Sequence, residues 1–148
     1  MSRLPTYDTF DDVPDNKIWG FTELMFGTSR YSKHFLTINE NSYCSLHYHE
    51  RRANEFHILS GKLEILIFYG PSFEKYILTS GNKLSIPSYV PHIFFAHEKT
   101  TATEEYFSDR GDNTIDDSDI IRILPGGKDT YENYIEILAE VFRNAIRN

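Results

Sequence analysis

One cysteine, Cys44, is the whole thiol content of this 148-residue chain, so no internal disulfide can brace the fold. The apolar neighbours Tyr43 and Leu46 offer nothing that would lower a thiolate pKa, and Cys44 reads as a small core or edge residue. Positive charge is also scarce. Fifteen Lys and Arg stand against 22 Asp and Glu, a net charge of -7, which leaves no basic surface to neutralise a phosphate backbone and argues against a nucleic-acid partner. Long apolar runs are missing as well: the strongest is "ILIFY", residues 65–69, far short of the roughly 20 residues that a membrane-spanning helix needs. The opening "MSRLPTYDTF" lacks the charged-then-apolar pattern of a secretory signal, so a soluble cytoplasmic protein without a membrane partner is expected. There is no internal repeat and no sign of a second domain, and the length suits one domain with its own core.

What the chain does have is aromatics, 15% of all residues with ten Tyr and eleven Phe, which suits strands packed around an interior pocket. From about Tyr31 to Leu124 short apolar segments alternate with turn signals such as "NENS", "YGPS", "SGNK" and "DRGDN". The segments "KHFLTI", "EFHIL", "LEILIFY", "KYILT", "KLSIP", "HIFFAH", "EEYFS" and "DIIRIL" read as strands, with no helical period among them. A barrel or jelly roll closes such a series. After "LPGGKD" the period changes: Tyr131, Tyr134, Ile135, Leu138, Val141, Phe142 and Ala145 recur at three and four, with Asp129 or Thr130 as N-cap. The expected organisation is an extended acidic lead-in over 1–17, a barrel over 18–125 and an amphipathic helix over 129–147 packed on the barrel or on a partner. Gly126 and Gly127 read as a hinge between barrel and helix, since no phosphate-loop pattern surrounds them.

Two histidines, His47 and His49, sit two apart in "SLHYHERRANEFHILSG". In a strand they project to one face and can grip one ion together. If the alternation continues across "ERRA", then Asn54, Phe56 and Ile58 share one face while Glu55 and His57 share the other. Further on, "GNKLSIPSYVPHIFFAH" starts a strand at His92, after a Pro87–Pro91 turn that fixes the entry of the chain. Three neutral imidazoles with a carboxylate or water suit zinc first, with manganese, iron or nickel also possible.

These motifs resemble the two signatures of the cupins, G(x)5HxH(x)3-4E(x)6G and G(x)5PxG(x)2H(x)3N. "HYHERRANEFHILSG" supplies His47, His49 and Gly61, and "GNKLSIPSYVPH" supplies Gly81, Pro87 and His92 at the family spacing. Six residues before Gly61 stands Asn54 where the family has its liganding Glu, with Glu55 one step later; Tyr89 replaces the second glycine and Ala96 the final Asn. The order "IWGFTEL", "YSK", "CSLHYHERRANEFHILSG", "SIPSYVPH", "DDSDIIRI" is more specifically similar to the type II mannose-6-phosphate isomerase cupins, through Trp19, Gly20, Lys33, Ser45, Leu46, His49, Arg52, Ala53 and the run from Asp119 to Arg122. The similarity spans about residues 18 to 124. The guanylyltransferase half of the longer relatives is absent, and "LPGGKD" with a helix replaces their closing "YGR".

The resemblance implies an all-β fold, a single cupin jelly-roll β-barrel with a C-terminal amphipathic α-helix, and a homodimer paired through strand edges. It implies a divalent transition metal on His47, His49 and His92, and a sugar or sugar phosphate as the small-molecule partner. For the fourth position, either Glu55 reaches in through a bulge, or the site makes do with Asn54 or water. The implied reaction is aldose–ketose isomerisation of the mannose-6-phosphate/fructose-6-phosphate type, with Glu55 as base if it is not a ligand, and Lys33 and Arg122 holding the phosphate. Arg52 is a third cation with the same potential role, and Arg122, inside the apolar "DIIRIL", must find a partner. Asp116, Asp117 and Asp119 read as a solvated turn, because the remaining ligand positions of a calcium loop are missing. Two alternatives stay open: a metal-free nucleotide-sugar ketoisomerase or epimerase using a His pair, and a sugar-binding cupin without catalysis.

Overall fold

The computed structural model describes residues 15–111 and 114–147, with side chains as far as Arg143. Most of the expected lead-in, up to residue 14, lies outside the described residues, but its last part does not remain loose. Strand β1 (Asp15–Lys17) pairs antiparallel with β2 (Gly20–Gly27), which in turn pairs with β3 (Tyr31–Ile38). "GFTELMFG" gives no strand signal by alternation, since it sits near a sheet edge with both faces partly exposed. Next come β4 (Ser42–Tyr43), β5 (Leu46–Tyr48), β6 (Ala53–Ser60), β7 (Lys62–Tyr69), β8 (Ser72–Thr79), β9 (Lys83–Ile86) and β10 (His92–Ala96). The barrel is completed by β11 (Thr100–Phe107), β12 (Ile121–Leu124) and β13 (Gly127–Lys128), and α1 (Tyr131–Arg147) ends the chain.

Two antiparallel sheets face each other. One has the order β1-β2-β3-β11-β6-β9; the other runs β12-β5-β10-β4-β13, with β7 also paired to β10 and β8 to β7. The all-β jelly roll expected from the strand spacing is therefore the observed fold. Period-two alternation sends Leu36 and Ile38 of β3, Phe56 and Ile58 of β6 and Ala102 of β11 toward the second sheet, all nearly inaccessible. Phe56 meets Phe94 of β10 edge to face at 6.0 Å, which ties the two sheets together at the centre of the core. Cys44 is buried there, its Sγ facing the Phe94 amide at 3.2 Å.

Helix α1 covers the outer face of the second sheet. Thr130 caps it, its Oγ1 accepting the Asn133 amide at 3.2 Å. Tyr134 is fully buried against Phe95 and Tyr43, with ring centroids 4.7 and 5.0 Å away, and Phe142 lies 5.3 Å from Phe68. Beneath the first turn the buried carboxylate of Glu64 accepts from the Tyr131 hydroxyl at 3.0 Å and meets His97 Nε2 at 3.1 Å. The helix thus takes an outward-facing carboxylate out of water, and the Tyr131 hydroxyl, with His97 beside it, replaces the hydration it loses. Gly126 and Gly127 are not a free hinge, because Gly127 belongs to β13 and added Cβ atoms would come within 2.7 and 2.6 Å of Tyr43. Gly61, with φ +95°, turns β6 into β7 where a Cβ would lie 2.3 Å from the Lys99 carbonyl oxygen, so both backbone and space demand glycine. Among the described residues no helix is long and apolar enough to cross a membrane.

Candidate metal centre

The site lies on the inner face of the second sheet. His47 on β5 stands directly opposite His92 on β10, and His49 follows at the end of β5. All three are buried, with ring centroids 4.5 to 5.6 Å apart. Each Nδ1 lies against a backbone carbonyl: His47 on Ser45 at 2.8 Å, His49 on Asp119 at 2.7 Å, His92 on Val90 at 2.9 Å. A carbonyl only accepts, so each Nδ1 carries the ring proton and each Nε2 presents a lone pair. One ring nitrogen from each histidine falls within 4.8 Å of the other two, and Nε2 of both His49 and His92 is buried without a hydrogen-bond partner. Buried acceptors left unmatched on convergent imidazoles are the donor arrangement that suits a divalent transition ion, so the residues fit such a group.

The backbone that aims these rings is itself tied down. Both carboxylate oxygens of Asp119 accept amides of the loop after His49, from Glu50 and Arg51, each at 2.8 Å. This overturns the solvated turn expected of Asp119, which is buried, although Asp116 does cap Ser118 in an exposed turn. Tyr89 adopts φ +67°, the conformation that glycine takes without strain, and its amide donates to the His49 carbonyl at 2.6 Å. The Tyr89 ring stacks near Tyr48 at 6.4 Å with the Arg110 guanidinium 4.5 Å from its centroid, and these contacts support the unusual backbone.

Of the two candidates for a fourth ligand, Asn54 points inward and is fully buried, with Nδ2 donating to Glu104 at 2.8 Å and Oδ1 lacking a partner. Glu55 points outward and accepts from the Ser85 hydroxyl at 2.7 Å. No bulge turns it in; the register shift in the β6–β11 ladder falls at Thr101 and Ala102, far along the strand, so period two prevails at Glu55. Glu55 as ligand or base is therefore corrected. Lys33 is corrected for the same reason: it opposes Glu105, which in turn opposes Glu55, on the outer surface of the first sheet. Arg122 is exposed rather than buried with a partner, and it opposes His47 across the β5–β12 ladder.

The interior contains polar groups that no sequence motif marked. Glu104 and Tyr106 of β11 lie inward, Glu104 opposite Phe56 and Tyr106 opposite Asn54, and their side chains are hydrogen-bonded to each other. The Tyr106 ring stands edge-on to His49 at 5.4 Å and to His34 at 5.6 Å, and Arg52 stacks over it at 3.9 Å. The one available signal was alternation in "TATEEYF", which allows either Glu104 or Glu105 to be the inward residue until the sheet's inner face is known.

Burial governs the electrostatics. It lowers the pKa of His49 to about 3 and that of His92 to about 4, with the positive charge of Arg52 adding to each effect. His47 is lowered as well, by burial and then by its two neighbouring imidazoles, and His34 falls to about 4. Burial acts oppositely on Glu104, raising its pKa. The unfolded chain therefore takes up histidine protons first as the pH falls below the ordinary value of 6.5. For the metal-free protein, the stability associated with these groups should be complete above pH 6.5 and be lost toward pH 4. The steepest loss is roughly 1.4 kcal/mol per pH unit for each histidine, with Glu104 opposing as a single group. Urea midpoints between neutral and acidic pH would show this slope, and His34→Asn should make it shallower; a flat profile would contradict the assignment.

A two-sheet β-barrel with three convergent imidazoles on its inner wall is the class of protein that fold and site define. The model of the cupin family matches residues 21–119, and this chain belongs to that family. Comparison with curated proteins gave no match. Similar solved structures include KdgF from Halomonas sp., at 18% identity and TM-score 0.58, over 66% of this chain and 88% of that one. Oxalate decarboxylase from Bacillus subtilis matches at 15% identity and TM-score 0.64, over 77% of this chain and 31% of its own length. The capsular polysaccharide assembling protein CapF from Staphylococcus aureus matches at 13% identity and TM-score 0.63, over 76% and 31%. This chain thus spans about a third of the last two, and at such identities the likeness concerns the fold.

Proposed function

We propose that this cupin is a metal-dependent enzyme acting on a sugar or sugar phosphate, with aldose–ketose isomerisation as its reaction. The observation that carries the reading is the pair of buried, unpartnered Nε2 atoms on His49 and His92, converging with His47. His47, His49 and His92 would hold the ion, zinc first among the candidates, with Asn54 Oδ1 an inward-facing neutral oxygen on the adjacent sheet. A bound divalent ion supplies Lewis acidity that polarises a substrate carbonyl and stabilises negative charge developing on its oxygen.

The chain's own residues provide the rest. With Glu55 outside, the inward titratable pair is Tyr106 and Glu104; burial holds the phenol's pKa well above its usual range, so Tyr106 keeps its proton and serves as a hydrogen-bond donor rather than a proton source, while the raised pKa of Glu104 suits proton exchange. The low pKa values of the histidines weigh against the metal-free His-pair reading, because a general acid must carry a proton at working pH, and these imidazoles shed theirs well below neutrality.

The test is metal content by plasma mass spectrometry on untagged protein purified without chelator, followed by NMR assay of mannose 6-phosphate and fructose 6-phosphate interconversion. About one equivalent of transition metal and turnover abolished by chelation is the expected result. Folded protein that takes up no metal, or loaded protein that leaves both sugar phosphates unchanged, would overturn the reading.

A further inference from the structure

Arg52 is the group in this interior that the reaction above leaves unused. It is 5% exposed, and a guanidinium stays charged at any working pH. A buried charge of this kind normally sits in an ion pair. Among the described residues no carboxylate oxygen lies within 4.0 Å of it, in a chain that carries 22 acidic residues. Glu104, the buried acid of the same cluster, accepts instead from Asn54 Nδ2 and from Tyr106.

The contacts Arg52 does make leave its donor edge free. One face of the guanidinium lies on the Tyr106 ring, 3.9 Å from the centroid, which fixes its plane without using an N–H group. Nε sits 3.4 Å from His49 Nδ1, but that nitrogen donates its own proton to the Asp119 carbonyl at 2.7 Å, so it is no acceptor for arginine. The terminal nitrogens make no hydrogen bond to the described protein. A second cation, Arg122, opposes His47 across β12 and is exposed.

We propose that Arg52 is the anchor for an oxyanion, a phosphate or carboxylate group of the ligand, gripped through the free fork of the guanidinium beside the three histidines. The fork matches two oxygens of such a group, which a lysine at the same place would not. The proposal rests on reading the histidine centre as a ligand site; it narrows the ligand to an anion and assigns its recognition to Arg52, where Lys33 lies on the outer surface.

Full-length chain, as purified and after chelator treatment, would be titrated with inorganic phosphate and with malonate at low salt, by calorimetry and by 15N NMR of arginine Nε–H signals. Lys33→Gln serves as the outer-surface control, and metal content is measured on the same samples, so failure of metal binding and failure of anion binding are read separately. Saturable binding of at least one probe to the chelated parent, a shift of the Arg52 Nε–H signal, and a tenfold or greater loss in Arg52→Gln with Lys33→Gln unchanged are expected. Tighter binding of phosphate than of malonate would mark a phosphorylated ligand, and the reverse a carboxylate. Neither probe binding the parent, Arg52→Gln binding as the parent does, or an Arg52 signal that stays fixed through saturation would each overturn the proposal. If Arg52→Gln does not fold, the parent's Arg52 signal decides alone.

Discussion

Replacing His92 with alanine is expected to abolish tight metal uptake while changing the metal-free protein little. In the proposed centre three imidazoles are the whole set of strong donors, and loss of a supporting partner alone typically lowers metal affinity by about 10–100-fold, so loss of a direct donor should exceed about a hundredfold. The metal-free form behaves differently because His92 Nε2 is already stranded in the core. Removing that unsatisfied atom relieves a penalty of about 1–3 kcal/mol, which offsets much of the packing lost with the ring. Thermal melts with and without zinc would separate the two. For the parent, zinc at about a thousand times its dissociation constant adds about 4 kcal/mol, and His92→Ala should show almost none of that rise. A variant that is as strongly stabilised by zinc as the parent would remove His92 from the centre.

The largest purely structural effect is expected at Phe95. This ring is fully buried on β10 and meets Tyr43 at 6.4 Å, Tyr131 at 5.3 Å, Tyr134 at 4.7 Å and His97 at 5.2 Å. It is the ring on which both Tyr131 and Tyr134 of α1 rest, and its neighbour Phe94 points the other way into the core. Phe95→Ala should cost about 3–5 kcal/mol, a large share of the 5–15 kcal/mol typical of a domain, and lower the melting temperature by roughly 10–15 °C. Urea titration followed at a helix-sensitive wavelength would give the value. Wild-type stability in this variant would mean that the helix is held by its ends, through Thr130 and the Glu64–Tyr131 contact, rather than by the aromatic stack.

The strand series was readable because apolar alternation and turn residues are local properties. "LEILIFY" and "HIFFAH" are strands in any packing that buries them, and the three–four spacing from Tyr131 to Phe142 is helical for the same reason. The strand at "GFTELMFG" is not legible locally because both of its faces are partly exposed, which removes the alternation that marks a strand. Gly126 and Gly127 read locally as a hinge, whereas their need for glycine comes from Tyr43, about 80 positions earlier in the chain. Local reading also placed Asn54 on the face of Phe56 and Ile58, with Glu55 opposite, and period two held through β6. The idea of Glu55 reaching inward needed an irregularity that the β6–β11 ladder has only at its far end.

By itself the sequence determined the class of fold, the one C-terminal helix, and a small set of histidines at clamp spacing, since each depends on the period of neighbouring residues. Tertiary structure alone decided what surrounds those histidines. Asp119 lies 70 positions from His49 and yet orients it; Glu104 lies 50 positions from Asn54 and takes its amide; Arg52 lies on a ring from β11, 54 positions on, with no carboxylate within salt-bridge distance among the described residues. Which face of a strand is inside, and which charge finds a partner there, depends on how two sheets close on each other, and no window along the chain contains that information.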